Sequence, residues 1–397
     1  MFICIIMHDE VVRMRLYRME LYKLCYRKIF IVGAACVTGI LLLFFWMKMS
    51  EEWAYVDGVV YEGYQAVKVN RKITKEFEGV LTDEKVDAII EKYGFPEEVR
   101  ENYWGFYDSN FLNGFVVDYL SDGYLYDWDD YKAATQTYPI AETELGKAAE
   151  LTGRKIVLEY SNGWFTFLEV LEIGMILGSI LLIFGISTIF AQEQQTKMLQ
   201  LLFTSCEGRK KDIYVKIAAA FTVAVGIWLA IVILDFLLCG VVFGLDGQNC
   251  FIGATKIMRN IRAVKGLPDL MTVKYFIVVT LLRSLVGILL LCSTTICISA
   301  CCRSSFHAVA GSAICWGMPL LIWIFLSFMS SNILFRIIRS LILLMVYSSS
   351  LYLSMYEAFY DLYRSRWVCW LPLLIAVMVS IACTIAAYRK YRGQQVV

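Results

Sequence analysis

Charged residues set between long apolar runs are the ones in this chain whose types and spacing could do chemistry, and that chemistry is electrostatic rather than covalent. The segment Ala191 to Lys216, AQEQQTKMLQLLFTSCEGRKKDIYVK, joins two apolar stretches and reads as a short amphipathic helix followed by a basic turn. Glu193, Gln194 and Lys197 are expected to face water, while Met198, Leu199, Leu201 and Leu202 face a membrane surface. Arg209, Lys210, Lys211 and Lys216 then mark the cytoplasmic side by the positive-inside bias. An elbow of this kind can dock a soluble partner; the plainer reading is that its charges only define the membrane boundary.

Two further constellations lie inside apolar stretches. Asp235 and Arg283 fall about eight residues from the same end of two successive antiparallel segments, hence roughly 12 Å below one boundary at 1.5 Å per residue. An ionisable residue at that depth is expensive unless paired or functional, so an interhelical Asp235–Arg283 salt bridge is expected, as a structural tie or as part of a substrate path. Glu169 and Glu172 are three apart on one helix face. They could guard an outer opening, or simply be two interfacial carboxylates in water.

Covalent and nucleotide chemistry leave no signature. The chain has no G-x-x-x-x-G-K-[ST] phosphate loop, no G-x-S-x-G and no H-E-x-x-H, and His8 and His307 are its only histidines. Cys301-Cys302 near His307 lacks zinc-site spacing, so no metal is expected. Of thirteen cysteines none lies between 50 and 163, so that region has no disulfide framework. If ATP drives this protein, another chain must hydrolyse it.

The elements that position these residues follow from composition. Hydrophobic residues make up 59% of 397 residues, with a mean hydropathy of +0.60, more than a water-soluble core could hide. Windows of roughly 20 apolar residues, enough to cross about 30 Å of hydrocarbon, fall at 29–49, 168–190, 217–243, 275–300, 307–329 and 367–388. An all-α polytopic membrane protein with six transmembrane helices is expected. Trp46, Trp53, Trp164, Trp367 and Trp370 sit where an interfacial aromatic belt would.

The net charge of +1 conceals a division: residues 50–163 carry 23 Asp/Glu against 11 Lys/Arg, so the remainder carries +13. This fits a large acidic extracytoplasmic domain at 50–163, with a cytoplasmic basic segment at 1–28 and a cytoplasmic tail at 389–397. Both termini inside demand an even number of crossings. The first run, 29–49, is too long for a signal-peptide core and lacks a cleavage site, so it reads as an uncleaved anchor; residues 1–13 read as an upstream start or a disordered leader. The apolar region near 333–356, within 217–388, is expected to be an outer re-entrant or interfacial segment rather than a seventh span. The basic loop 244–274 is placed outside by the count.

In the domain 50–163, Thr82-Asp83-Glu84 starts a helix, Val86, Ile89, Ile90 and Tyr93 recur at helical spacing, and Gly94 with Pro96 stops it. A mainly helical domain with little sheet, folding by itself, is expected. Gly174-x-x-x-Gly178 and Gly240-x-x-x-Gly244 allow close helix approach.

The order of parts, RMELYKLCYRKIF before a first span, a large outer insertion containing GVLTDEKVDAIIEKYG and YSNGW, the elbow 191–216 and a basic tail, resembles the permease subunit of bacterial type-2 ABC exporters. The resemblance implies a half-transporter of the bacterial cell membrane that pairs as a homodimer or heterodimer with a second permease. Each copy would bind a cytoplasmic ABC ATPase, holding ATP and Mg, through a coupling loop at Glu193, Lys197, Leu199, Leu202, Arg209 and Lys216. The cargo would be amphiphilic, a peptide or lipid-linked. Membrane lipids are expected partners; nucleic acid is not, and no cofactor is expected in this chain. A reading from another class is a membrane sensor or immunity protein whose acidic outer domain binds a cationic extracellular peptide.

Overall fold

Apolar runs bounded by charged residues become long helices in the computed structural model, which describes residues 2–95, 110–123, 134–198, 210–259, 272–326 and 371–393. The described chain is mostly helical, and five helices are long and apolar enough to cross a membrane: Lys28–Ser50, Asn162–Gln195, Lys211–Val242, Val273–Cys301 and Leu373–Arg392. In chain order the elements are α1 (Phe2–Cys25), α2 (Lys28–Ser50), β1 (Trp53–Val56), β2 (Val59–Glu62), α3 (Gly63–Glu76), β3 (Gly79–Val80), α4 (Asp83–Tyr93) and α5 (Phe111–Leu120). They continue with α6 (Glu144–Thr152), β4 (Val157–Leu158), α7 (Asn162–Ile186), α8 (Ala191–Gln195), α9 (Lys211–Val242), α10 (Lys256–Arg259), α11 (Val273–Cys301), α12 (Ser305–Leu326) and α13 (Leu371–Arg392). The expected stretch 307–329 falls on α12, whose described part ends at Leu326. The segment 333–356, Trp367 and Trp370 lie outside the described residues.

The chain divides into two compact units. One comprises Met1–Leu41, Leu171–Ile233 and Thr280–Val397, the other Leu42–Val170 and Leu234–Val279. Small residues set the helix spacing in the first. A Cβ on Gly174 would stand 2.5 Å from Ile231 Cγ2, and one on Gly178 2.6 Å from Ile231 Cδ1, so α7 meets α9 where side chains are absent. Leu290 of α11 packs with Leu373 and Ala376 of α13. At Gly240-x-x-x-Gly244 only the second glycine allows close approach: Gly240 has an ordinary contact with Leu245, whereas at Gly244, which turns the chain at φ 75° beyond the end of α9, a Cβ would stand 2.5 Å from the Arg71 guanidinium, and its carbonyl would clash with a Cβ on Gly163.

The second unit is built on a core of Ile73, Leu81, Val86, Ile89, Leu112, Phe115 and neighbours. Its helix α4 forms as the sequence indicates, with the Thr82 hydroxyl accepting from Lys85 N and Gly94 closing the end at φ 65°. Asp57-Gly58, both at positive φ, turns β1 into β2 as an antiparallel hairpin pairing Val56 with Val59. Strand β3 pairs with β4, bringing Gly79 opposite Leu158. This unit is larger than 50–163. Phe251 and Ala254 enter the same core, Tyr119 Oη donates to Thr255 O at 2.9 Å, and Gly247 N donates to Glu159 at 2.7 Å. The insertion therefore closes its core with residues that follow α9.

Candidate functional site

The short helix α8 follows the turn at 187–190, and every side that it presents to the first unit is bonded to a different element. Its Gln192 amide donates back to Thr188 O of that turn at 3.0 Å, while the amides of Phe190 and Ala191 take a side-chain acceptor from another helix. The Ser299 hydroxyl of α11 accepts from Phe190 N at 3.1 Å and from Ala191 N at 3.3 Å. Gln194 donates to Ala300 O at 3.3 Å, and Gln195 Oε1 accepts from Ser305 N at the start of α12 at 3.0 Å. Arg27, between α1 and α2, donates to Thr188 Oγ1 and to Gln192 Oε1. Burial lowers the pKa of this guanidinium from its ordinary value, with Glu20 opposing.

At the centre stands Lys216. Asp212 and Lys216 are one turn apart on α9, so their side chains meet, and Asp212 in the first turn also suits the helix dipole. Lys216 Nζ bonds Asp212 Oδ2 and, at 2.5 Å, Glu193 Oε1 of α8. Tyr391, near the end of α13, donates its hydroxyl to the other Glu193 oxygen at 2.6 Å, and its ring lies 4.3 Å from that of Phe190. The Lys216 side chain is only 1% exposed, Asp212 8% and Glu193 16%. One lysine between two carboxylates leaves a negative excess that the tyrosine hydroxyl helps to solvate. The arrangement fixes geometry; it offers no nucleophile or acid–base pair in a cleft.

The structure thus brings Glu193 and Lys216 together, from the elbow residues picked out in the sequence. Glu193, expected on the water face, is directed inward because Lys216 and Tyr391 lie there. Lys197 is exposed and adopts φ 57°, an uncommon left-handed conformation for a non-glycine residue, just past the end of α8; Met198 beside it is exposed. Leu199, Leu202 and Arg209 lie outside the described residues. Sequence reasoning missed Asp212 and Tyr391. The four-residue spacing of Asp212 to Lys216 was a usable signal for the first; nothing in the sequence announces the second.

The other candidates are placed separately. Glu169 pairs with Lys48 at 3.3 Å, and Lys48 also reaches Glu51 at 3.1 Å, so this carboxylate is tied to the end of α2. Glu172 is half-buried one turn on. Asp235 is buried in α9 and accepts from the Cys239 thiol at 3.3 Å. Arg283 is equally buried in α11, and the two belong to different compact units. Among the described residues no three His, Cys, Asp or Glu side chains lie together as a metal site would need.

Comparison with family models, with curated proteins and with solved structures finds no match to this chain.

Proposed function

We propose that the chain is the permease subunit of an ATP-driven ABC exporter: six transmembrane helices, both termini cytoplasmic, and an extracytoplasmic domain built on residues 50–163. The observation that carries this reading is the bonded elbow. A five-residue helix between two long apolar helices is tied by charge and hydrogen bonds to α9, α11, α12 and α13. A force applied to α8 by a soluble partner would be passed to those helices instead of being lost in a flexible loop. In this reading ATP and Mg bind a separate ATPase, and closure of the ATPase pair moves α8 and with it the spans, opening a route for an amphiphilic, peptide or lipid-linked cargo. Lys216, Asp212 and Tyr391 act as positioning residues, the exposed Lys197 and Met198 are available for contact, and Arg209 is assigned to the same contact from its place in the elbow sequence.

The test is purification of the solubilised chain from its native membranes, with mass-spectrometric identification of any co-purifying ABC ATPase. Wild type is expected to bring the ATPase down, Lys197→Ala/Arg209→Ala to lose it, and Lys216→Met to retain folded chain with a lowered thermal midpoint and weakened coupling. Leaving two buried carboxylates without their shared cation should cost about 3–5 kcal/mol. No ATPase in any sample would end the transporter reading and favour a membrane receptor for cationic peptides.

A further inference from the structure

From Met14 onward helix α1 has one buried side and one that no protein covers among the described residues. Glu20 and Leu24 are buried, and Tyr17 shares a hydrogen bond of 2.7 Å with Thr222 of α9, so this side packs against the first unit. On the other side Met14, Met19, Tyr22 and Tyr26 are each more than half exposed, and Arg15, Arg18 and Lys23 are exposed among them. At 3.6 residues per turn these positions share about half of the helix circumference. Tyr22 and Tyr26 stack with ring centroids 4.3 Å apart, forming one aromatic surface.

The charge is one-sided. From Met14 to Lys28 there are five bases and a single acid, Glu20, which is buried and bonded to Lys23 at 2.5 Å. Since α2 begins at Lys28, Tyr22 lies within roughly 10 Å along the chain of the first apolar span. Tyrosine and methionine interleaved with arginine, at the level where a span enters the bilayer, match the chemistry of anionic headgroups over acyl chains. A second copy of α1 would set the same arginines against one another, which disfavours self-association through this face.

We propose that the face of α1 bearing Met14, Arg15, Arg18, Met19, Tyr22 and Tyr26 lies on an anionic lipid surface. The helix thereby holds the entry to α2 at the headgroups, and through Arg27 it holds α8 as well. The proposal needs α2 to span a bilayer but does not need the transport reading, so the two fail separately.

The test is amide hydrogen exchange of residues 14–26 in the full-length protein, in nanodiscs of phosphatidylcholine alone and of phosphatidylcholine with phosphatidylglycerol. Slower exchange in the anionic discs, reversed by high salt, is expected, and Arg15→Gln and Arg18→Gln should each weaken the lipid-dependent protection by about fivefold. Equal exchange in both lipids, or an anionic effect that survives the double Gln variant, would overturn the proposal. Protection that follows the number of protein copies per disc rather than lipid charge would assign the face to a second copy and overturn it too.

Discussion

Lys216 and Cys250 are both ionisable groups closed off from water, with opposite outcomes. The lysine carries its charge into the interior because two carboxylates surround it. The Cys250 thiol reaches the neutral Glu159 carbonyl at 3.9 Å, and burial, aided by the charges of Glu159 and Glu78, pushes its pKa from an ordinary 9.0 up to about 12. Burial raises the phenol of Tyr160 well above its ordinary 10.0 in the same unit. An acid whose folded pKa is raised keeps its proton after the unfolded chain has lost it. Its stabilising effect is therefore complete below about pH 9 and declines as pH rises toward 12. For Cys250 the full loss is on the order of 3–4 kcal/mol. Denaturation followed across that alkaline range should show the decline, and Cys250→Ala with Tyr160→Phe should flatten it; an unchanged alkaline slope in the double variant would remove these two groups from the account.

At the scale of elements, the approach of α7 to α9 depends on glycine more than on any side chain. Gly174→Ala places a methyl against Ile231 Cγ2, a branch that cannot swing away freely, and should destabilise by about 1–3 kcal/mol. Gly240→Ala meets only Leu245 at 3.5 Å and should be nearly neutral. Thermal midpoints of the two variants in one detergent compare them directly, and equal midpoints would refute the role given to Gly174. Some elements were legible in the sequence because their signals are local. Thr82 and Gly94 bound α4, and Asp57-Gly58 between Val56 and Val59 was a hairpin signal that went unread. The apolar windows found the long helices but misjudged their starts. Helix α7 begins at Asn162 rather than 168 because its first turns carry Asn162, Gly163 and Thr166, which an apolar window leaves out, and α9 begins at Lys211 rather than 217 because Asp212 and Lys216 neutralise each other within the helix. Long-range pairs such as Glu193 with Lys216 and Tyr391 left no trace, since each residue alone resembles an ordinary boundary charge or aromatic.

Across the whole molecule, segments far apart in sequence complete one another. The acidic insertion takes Phe251 and Ala254 into its core and sets Glu52 3.7 Å from Lys256, which gives the basic stretch after α9 a reason to lie beside it. Residues 50–163 expressed alone should therefore be incompletely packed, binding hydrophobic dyes, and Phe251→Ala in the full chain should cost about 3–5 kcal/mol. A fragment 50–163 that melts cooperatively and binds no dye would show that the later segment is dispensable. The hydrogen bond from Tyr391 to Glu193 closes over 198 residues. A ribosome adding about 5–20 residues per second delivers the tyrosine on the order of ten to forty seconds after the glutamate. Throughout that interval the elbow exists with one glutamate oxygen lacking its phenolic donor and the Phe190 ring lacking its cover. The arrival of α13 is thus the event that gives this glutamate its second partner, and a chain cut short before α13 carries a half-bonded acid, a local mark by which cellular quality control can tell a truncated copy from one that has this helix.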